Sequence, residues 1–179
     1  MLQASTPSTV EMSSVESVQS IAPESRALPG ATYRVSHPQH GDVTIERQPK
    51  SADSRQVAFN IQLQRGNGQP AVNFAHSMYV DNVDNEHGGQ STLGYGDIFM
   101  PDEMQGKGIG YAYHAAAAQA ARDLGVDKLV VNDCVSEPMR NLCEKTGMSD
   151  VGSAAFSYAG SPEALIASNQ SKSSERGWV

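Results

Sequence analysis

Alternating apolar and polar positions make the first half of the chain strand-rich. Segments 32–36 and 42–47 have the length and composition of short strands, and a turn containing Pro and Gly separates them. Segment 56–64 alternates apolar and polar residues, and segment 70–80 follows it after the Gly-containing residues 65–69. Because a period of two places the apolar side chains on one face of a sheet, this pattern predicts a β-hairpin.

The second half changes to a helical period. Apolar residues recur at steps of three and four over residues 109–124, which predicts a helix that ends at Gly125. Residues 128–131 predict a buried strand. Ser136 is placed to cap a further helix, which ends at Gly147.

The connections between these elements are less regular. Residues 81–93 read as a polar loop, and residues 96–100 as a strand that leads into a glycine-rich turn. Residues 151–158 predict a last strand. Between Tyr33 and Leu63 the sequence shows turns and strands but no helical period.

At 179 residues the chain is long enough for one domain with a sizeable core. Charged residues make up 18% of it, below the roughly 25% typical of globular proteins, which indicates polar, uncharged tails around a compact middle. We expect a Ser-rich, flexible N-terminal segment over 1–28, a domain over 29–160 and a polar C-terminal tail over 161–179 that is either partly helical or loose. No apolar run has the length of a membrane span, and residues 1–28 lack the apolar run of a secretory signal. We therefore expect no membrane partner.

The formal net charge of −7 argues against general nucleic-acid binding, which depends on clustered Lys and Arg side chains. An acidic surface favours a cationic acceptor instead. Cys134 and Cys143 do not form a disulfide framework, so we expect a cytoplasmic protein. The alternative is export into a host cell, because the Ser-rich N-terminal segment resembles the secretion signals of bacterial effectors in composition.

The most informative segment runs from Gly94 to Gly110, where a short apolar stretch leads into a glycine-rich turn and then into the alanine-rich helix. Glycine lets a ligand approach main-chain N–H groups closely, and the helix directs its unpaired amides and positive dipole end to the same place. This order predicts a site for a phosphate-bearing ligand. A Walker A loop is excluded because Gly108 follows Lys107, and a dinucleotide fingerprint is excluded because Tyr111 stands where its third glycine belongs.

Two motifs in this half resemble one known family. Residues 105–110, QGKGIG, resemble the pyrophosphate loop of the GNAT superfamily, the acyl-CoA-dependent N-acyltransferases, although such a turn also occurs as a plain structural connection. Residues 136–148, SEPMRNLCEKTGM, are similar to the second motif of that family and keep its register without a gap. The loop, helix, strand and second motif stand in the family's order, and the resemblance covers about residues 94–150.

The resemblance implies an α/β (α+β) fold with a mixed, mostly antiparallel central sheet, flanking helices and two splayed central strands. It places the splayed strands at Ile98–Met100 and Leu129–Val131. Family members usually carry two helices between their first two strands, and these shape the acceptor pocket. Because no helical period is present there, the resemblance implies that these helices are reduced, or that residues 8–22 supply one.

The resemblance also implies acetyl-CoA as the co-substrate. Main-chain groups of Phe99 and Met100 would pair with its pantetheine arm and donate to the thioester carbonyl, where a donor stabilises the developing oxyanion. The alternative is that this segment is a core strand with no role in binding. One residue more than usual separates Pro101 from the pyrophosphate loop, so the loop is expected to bulge. The other cofactor-binding candidates are Gln105, Gly106, Lys107, Gly108, Ile109, Gly110 and Ser136. Alternatively, Lys107 is a solvated surface lysine and Ser136 only caps a helix.

Transfer to an amine needs a base and an acid beside the thioester. Cys143 stands where the family often has a tyrosine that acts as the general acid, so it is the candidate acid. Its alternative role is that of a small, buried residue that only packs in the core. Asp97 and Glu103 are the carboxylates nearest to the expected thioester and are the candidate bases. We expect His114 to be solvated and Tyr113 to serve packing. His37 and His40 form a lone H-x-x-H in a turn, and His76 and His87 have no Cys or carboxylate partners at metal-ligand spacing, so we expect no metal.

The sequence therefore favours an N-acetyltransferase that acts on a primary amine, most favourably a lysine or N-terminus of a protein or peptide. One alternative is a catalytically silent acyl-CoA-binding module, which the changes at Cys143 and Ser136 permit. Another is a secreted bacterial effector acetyltransferase acting on host proteins. The oligomeric state stays open, a homodimer included.

Overall fold

A computed structural model describes residues 26–81, 89–96, 98–152 and 156–179. In these ranges the chain forms a mixed α/β structure, with an open, mostly antiparallel sheet of eight strands and three α-helices. The strands are β1 (Ala31–His37), β2 (Gly41–Arg47), β3 (Gln56–Gln64), β4 (Val72–Asp81), β5 (Thr92–Tyr95), β6 (Lys128–Val131), β7 (Ser149–Asp150) and β8 (Tyr158–Gly160). The helices are α1 (Ile109–Leu124), α2 (Glu137–Lys145) and α3 (Pro162–Glu175).

The first four strands follow one another in the sheet as antiparallel neighbours, and the predicted hairpin is confirmed as β3 and β4. The apolar residues of β3 lie on the buried face of the sheet, as the period of two requires. No helix lies between Tyr33 and Leu63, a range that the structure describes throughout. One face of β2, β3 and β4 is therefore left polar and exposed.

The sheet changes direction at its centre. Strands β5 and β6 are parallel, whereas the other neighbouring strands run antiparallel. The strand predicted over 96–100 is wrong, because β5 ends at Tyr95 and residues 98–100 pair with no strand. Beyond this point one further bond, from Asn132 N to Tyr95 O at 2.8 Å, joins the two chain segments before they separate.

Helix α1 is buried on almost all sides. Its small side chains allow close approach: a Cβ added at Gly110 would lie 2.8 Å from Cδ1 of Leu142 in α2, and α3 packs along α1 as well. The expectation that His114 is solvated is wrong, since its side chain is 0% exposed. A helix covered by a sheet and by two other helices has no solvated face on which a histidine could lie.

The C-terminal segment is an integral part of this packing. Residues 161–179, expected to be a polar tail, form α3 and a final turn in which Trp178 is 1% exposed. The strand predicted over 151–158 is replaced by β8, and residues 153–155 lie outside the described ranges. Among the helices of the described ranges, none has the length and apolarity needed to cross a membrane.

Candidate functional site

The glycine-rich loop forms the entry to α1, at the carboxyl end of β5. Gly106 and Gly108 have φ of 70° and 86°, a backbone conformation that glycine adopts without strain, and Gly108 is the N-terminal cap residue of α1. Within the described chain, no residue accepts a hydrogen bond from the main-chain N–H groups of residues 106–110. Five consecutive donors and the positive end of the helix dipole therefore lie in one short loop, which suits an anion.

The side chains of the loop brace the loop itself. Gln105 Nε2 donates to the carbonyl oxygen of Met100 at 2.8 Å and to Oδ1 of Asp102 at 3.0 Å. Lys107 Nζ donates to the main-chain oxygen of Glu103. The Gln105 side chain therefore ties the start of the loop to residues 100–102, and an anion would contact main-chain groups more directly than this side chain.

A short 3₁₀ turn over Asp102–Met104 leads into the loop, where a bulge was expected. Met104 anchors this turn in the core, where its side chain is 1% exposed. The expected bulge therefore takes the form of an ordered turn, and it carries the carboxylate of Glu103 outward to the surface.

Other predicted cofactor contacts lie at the edge of the site. The Phe99 side chain is 83% exposed, and Met100 packs partly against the core. Ser136 occupies the N-terminal cap position of α2, as predicted for a helix cap, but its hydroxyl makes no capping hydrogen bond. Ile109 is buried and anchors the first turn of α1. The candidate base Asp97 lies outside the described residues.

Cys143 is buried in the core. Its side chain is 0% exposed, and burial together with the neighbouring Cys134 raises the pKa of its thiol far above the ordinary value. A thiol in this position does not reach a substrate from the surface. The arrangement favours the packing role that the sequence left as the alternative.

A cluster of aromatic and imidazole side chains joins α1 to β4 and β5, and sequence reasoning missed it. The Tyr95 hydroxyl lies 2.5 Å from Nε2 of His114. Nδ1 of His76 is hydrogen-bonded to the hydroxyl of Tyr113, and the rings of His76 and Tyr95 meet edge to face with centroids 4.8 Å apart. These residues come from β4, β5 and α1, so no spacing in the sequence signals their contact.

The protonation of this cluster follows from its burial. Burial raises the pKa of Tyr95 and of Tyr113 well above 10. Burial and the nearby His76 lower the pKa of His114 from 6.5 to about 4. At neutral pH the cluster therefore contains neutral phenols next to a neutral His114, an arrangement that can hold or pass a proton.

The position of His76 is set by the strand register. Tyr79 pairs with Gly94 and is the first residue of β4 that pairs with β5. His76 precedes Tyr79 by three residues and therefore lies beyond the paired segment, toward the carboxyl end of β5. Its side chain is half-buried. The cluster therefore extends from the core to the carboxyl end of β5, where the glycine-rich connection begins.

A concave surface lies on the polar face of β2, β3 and β4. An open depression of about 510 Å³ has lining residues from β2, β3 and β4, most of them polar. They are Thr44, Glu46, Asn60, Ile61, Gln62, Asn73, Phe74 and Ala75. None of them belongs to the glycine-rich loop, so this depression is a separate surface.

The described ranges contain no group of three or more His, Cys, Asp or Glu side chains placed to hold a metal ion. The elements that remain as a candidate site are the loop over 105–110, the cluster around Tyr95, and the parallel pair of strands beside them. In comparisons with protein-family models, curated proteins and solved structures, nothing matches the chain.

Proposed function

We propose that the chain is an acetyl-CoA-dependent N-acetyltransferase that acts on a primary amine of a protein or peptide. The observation that carries the proposal is the run of five main-chain N–H donors over 106–110, which begins α1 and coincides with the motif QGKGIG. The parallel pair β5–β6 supports it, because the carboxyl ends of parallel strands are a common place for ligands in α/β folds.

The residues present fit a diphosphate. A Cβ added at Gly106 would meet no atom within 4 Å, so the loop is open at that position. Its N–H groups and the helix dipole favour negative charge, and the Asp102 carboxylate is engaged by Gln105. When bound, acetyl-CoA would supply the activated acetyl group, and the loop would hold its diphosphate.

The proton chemistry would fall to side chains near the carboxyl end of β5. An amine reacts only after it loses a proton, so a group that accepts a proton must lie close to it. Asp97 and Glu103 remain the candidate carboxylates. The half-buried His76, supported by Tyr113, is a further candidate that the fold brings to the same end of β5.

The shape and charge of the chain support a protein or peptide acceptor. No helix is inserted between β2 and β3 to cover the separate, polar face of the sheet, so a large acceptor would meet open surface there. The net charge of −7 favours a segment that carries lysine. The oligomeric state does not enter this proposal.

The cofactor assignment is tested by a matched pair of substitutions at Gly106. Asn and Asp both tolerate a positive φ better than other residues, and they differ in charge. Gly106→Asp should raise the Kd of acetyl-CoA by at least about tenfold relative to Gly106→Asn, because its carboxylate would repel the phosphates. Calorimetry gives Kd, and circular dichroism checks that both variants fold. Equal affinities in the two variants would remove the diphosphate site from this loop.

Activity needs its own assay, since binding alone does not demonstrate transfer. The full chain would be incubated with acetyl-CoA and with lysine peptides, polyamines or aminoglycosides, and the free thiol of released CoA would be measured. Release that depends on the peptide supports the proposed function. If acetyl-CoA binds tightly but none of these amines causes release of CoA, the proposed enzymatic activity is overturned.

A catalytically silent acyl-CoA-binding module is the second candidate. The observation that favours it is the burial of Cys143, because the acid expected at this position lies in the core. This candidate would bind acetyl-CoA as tightly as an enzyme does, and it would release no CoA when an amine is added.

A further inference from the structure

The end of the chain is anchored beside the glycine-rich loop. The indole Nε1–H of Trp178 donates to the main-chain oxygen of Lys107 at 2.7 Å. The main chain of Val179 exchanges two hydrogen bonds with Ser36 of β1, at 2.7 Å and 3.0 Å. Residues that are 71 positions apart in the sequence are thereby joined at the loop.

Two histidines complete the surroundings of Trp178. His37 and His40 stack on each other with ring centroids 4.2 Å apart, and their centroids lie 5.1 Å and 6.0 Å from the Trp178 ring. Burial, His37 and Lys107 all lower the pKa of His40. The indole is therefore fixed between the edge of the sheet and the loop.

This hydrogen bond sets the direction of one peptide unit of the loop. In a trans peptide the C=O of one residue and the N–H of the next point in opposite directions. Trp178 holds the carbonyl of Lys107, so the N–H of Gly108 points away from the indole. That N–H is one of the five donors that meet no acceptor in the described chain.

Arg176 adds a positive charge at the same place. Its Cβ and Cγ would lie 3.2 Å from a Cβ added at Gly108, and its guanidinium carbon lies 5.9 Å from the centroid of the Tyr111 ring. No acidic side chain of the described ranges forms an ion pair with it. The neighbouring Glu175 is paired with Lys172 at 2.8 Å.

We propose that the segment Arg176–Trp178 is part of the diphosphate site. Arg176 contacts the phosphates as a binding residue, and Trp178 is a positioning residue that orients the Gly108 N–H toward them. The inference rests on the proposed function, because it assigns these roles at the same loop. It extends the site to a segment that neither motif contains.

The test uses the full chain and two conservative variants. Trp178→Phe keeps an aromatic ring and loses the indole N–H, whereas Arg176→Gln removes an exposed charge. Arg122→Gln is the matched control, since it removes a charge from the far end of α1. Calorimetry at two salt concentrations measures the Kd of CoA, and thermal unfolding gives Tm for each variant.

We expect Arg176→Gln to raise Kd about tenfold at low salt and to weaken the salt dependence of binding. Trp178→Phe should raise Kd about fivefold, which is the effect of one lost hydrogen bond. Arg122→Gln should bind like the unaltered protein. Since Trp178 is the sole tryptophan of the chain, its fluorescence should also change when CoA is added.

The outcomes separate this inference from the proposed function. If the unaltered protein binds no CoA, both fail. If it binds CoA, and Gly106→Asp weakens binding while Trp178→Phe and Arg176→Gln leave Kd unchanged, the loop keeps its role and this inference is overturned. A lower Tm of Trp178→Phe with unchanged Kd would likewise overturn it, because the indole would then serve packing alone.

Discussion

The hydroxyl of Tyr95 lies 2.5 Å from Nε2 of His114, and neither side chain is more than 3% exposed. The other ring nitrogen of His114, Nδ1, is buried and finds no hydrogen-bond partner among the described residues. An imidazole in such surroundings is far more stable when neutral, since charging it would leave a cation without water. The pair therefore couples the fold to pH.

His114 should make the protein less stable as the pH falls. Its pKa is about 4 in the folded protein, against 6.5 ordinarily, so the unfolded chain takes up a proton at higher pH than the folded one. The stability is fully present above pH 6.5 and is lost as the pH falls toward 4. This loss amounts to about 3 kcal/mol. Urea unfolding at several pH values measures it.

His114→Gln is the matched variant for this measurement. Glutamine can still bond to Tyr95, but it does not titrate. From pH 7 to pH 4 the free energy of unfolding of the unaltered protein should fall by about 3 kcal/mol relative to that of His114→Gln, because only the unaltered protein loses the histidine contribution. Parallel pH profiles would show that His114 does not govern acid stability.

Asp123→Asn should cost more stability than the loss of a surface ion pair. Arg47 Nη1 lies 2.8 Å from Oδ2 of Asp123, and the Arg47 side chain is 6% exposed. Removing the carboxylate would leave a buried guanidinium without its counter-charge, at a cost of about 1 to 2 kcal/mol given that Asp123 is partly exposed. Urea unfolding would show the loss.

The exposed pair Lys172–Glu175 supplies the control for that comparison. Glu175→Gln removes an i,i+3 ion pair on the surface, and such exposed pairs contribute little to stability because water and salt screen them. Equal losses for Asp123→Asn and Glu175→Gln would mean that the Arg47 pair is not effectively buried.

Ser173→Ala should stabilise the protein slightly. The Ser173 hydroxyl is buried in α3 and has no hydrogen-bond partner in the part of the chain that the structure describes, and alanine also has the higher helix propensity. We expect a gain of about 0.5 to 1 kcal/mol in urea unfolding. Ser174→Ala changes an exposed position of the same helix and so measures the effect of helix propensity alone. If it raises the free energy of unfolding as much as Ser173→Ala does, the burial of the Ser173 hydroxyl contributes nothing.

The same buried serine explains why the sequence left open whether the segment of α3 is helical or loose. Its inward stripe includes Leu165, Asn169 and Ser173, so the buried face carries polar side chains and no apolar period is visible. Strand β5 was misplaced for a related reason. It has only four residues, all buried, and therefore lacks the alternation that located the β3–β4 hairpin.

The candidate site could be predicted only where one short segment contains it. The glycines of residues 105–110 indicate a turn into a helix, and the structure has that turn. The contacts of His76 with Tyr113 and of Trp178 with Lys107 join residues that are 37 and 71 positions apart. Such contacts depend on how the strands and helices pack, which local patterns do not specify.

Cys143→Ala should leave acetyl transfer nearly unchanged, within about threefold, while Asp97→Asn or Glu103→Gln lowers kcat by about 10² to 10⁴. The thiol is buried and its pKa is raised by burial, so it is poorly placed to exchange a proton with a substrate. A general base acts in the chemical step, so its loss should spare the Kd of acetyl-CoA. CoA release at saturating acetyl-CoA separates these effects, and Arg122→Gln serves as the control. If Cys143→Ala abolished turnover in a folded protein while both carboxylate variants stayed active, the thiol would be the acid and the carboxylates would have no catalytic role.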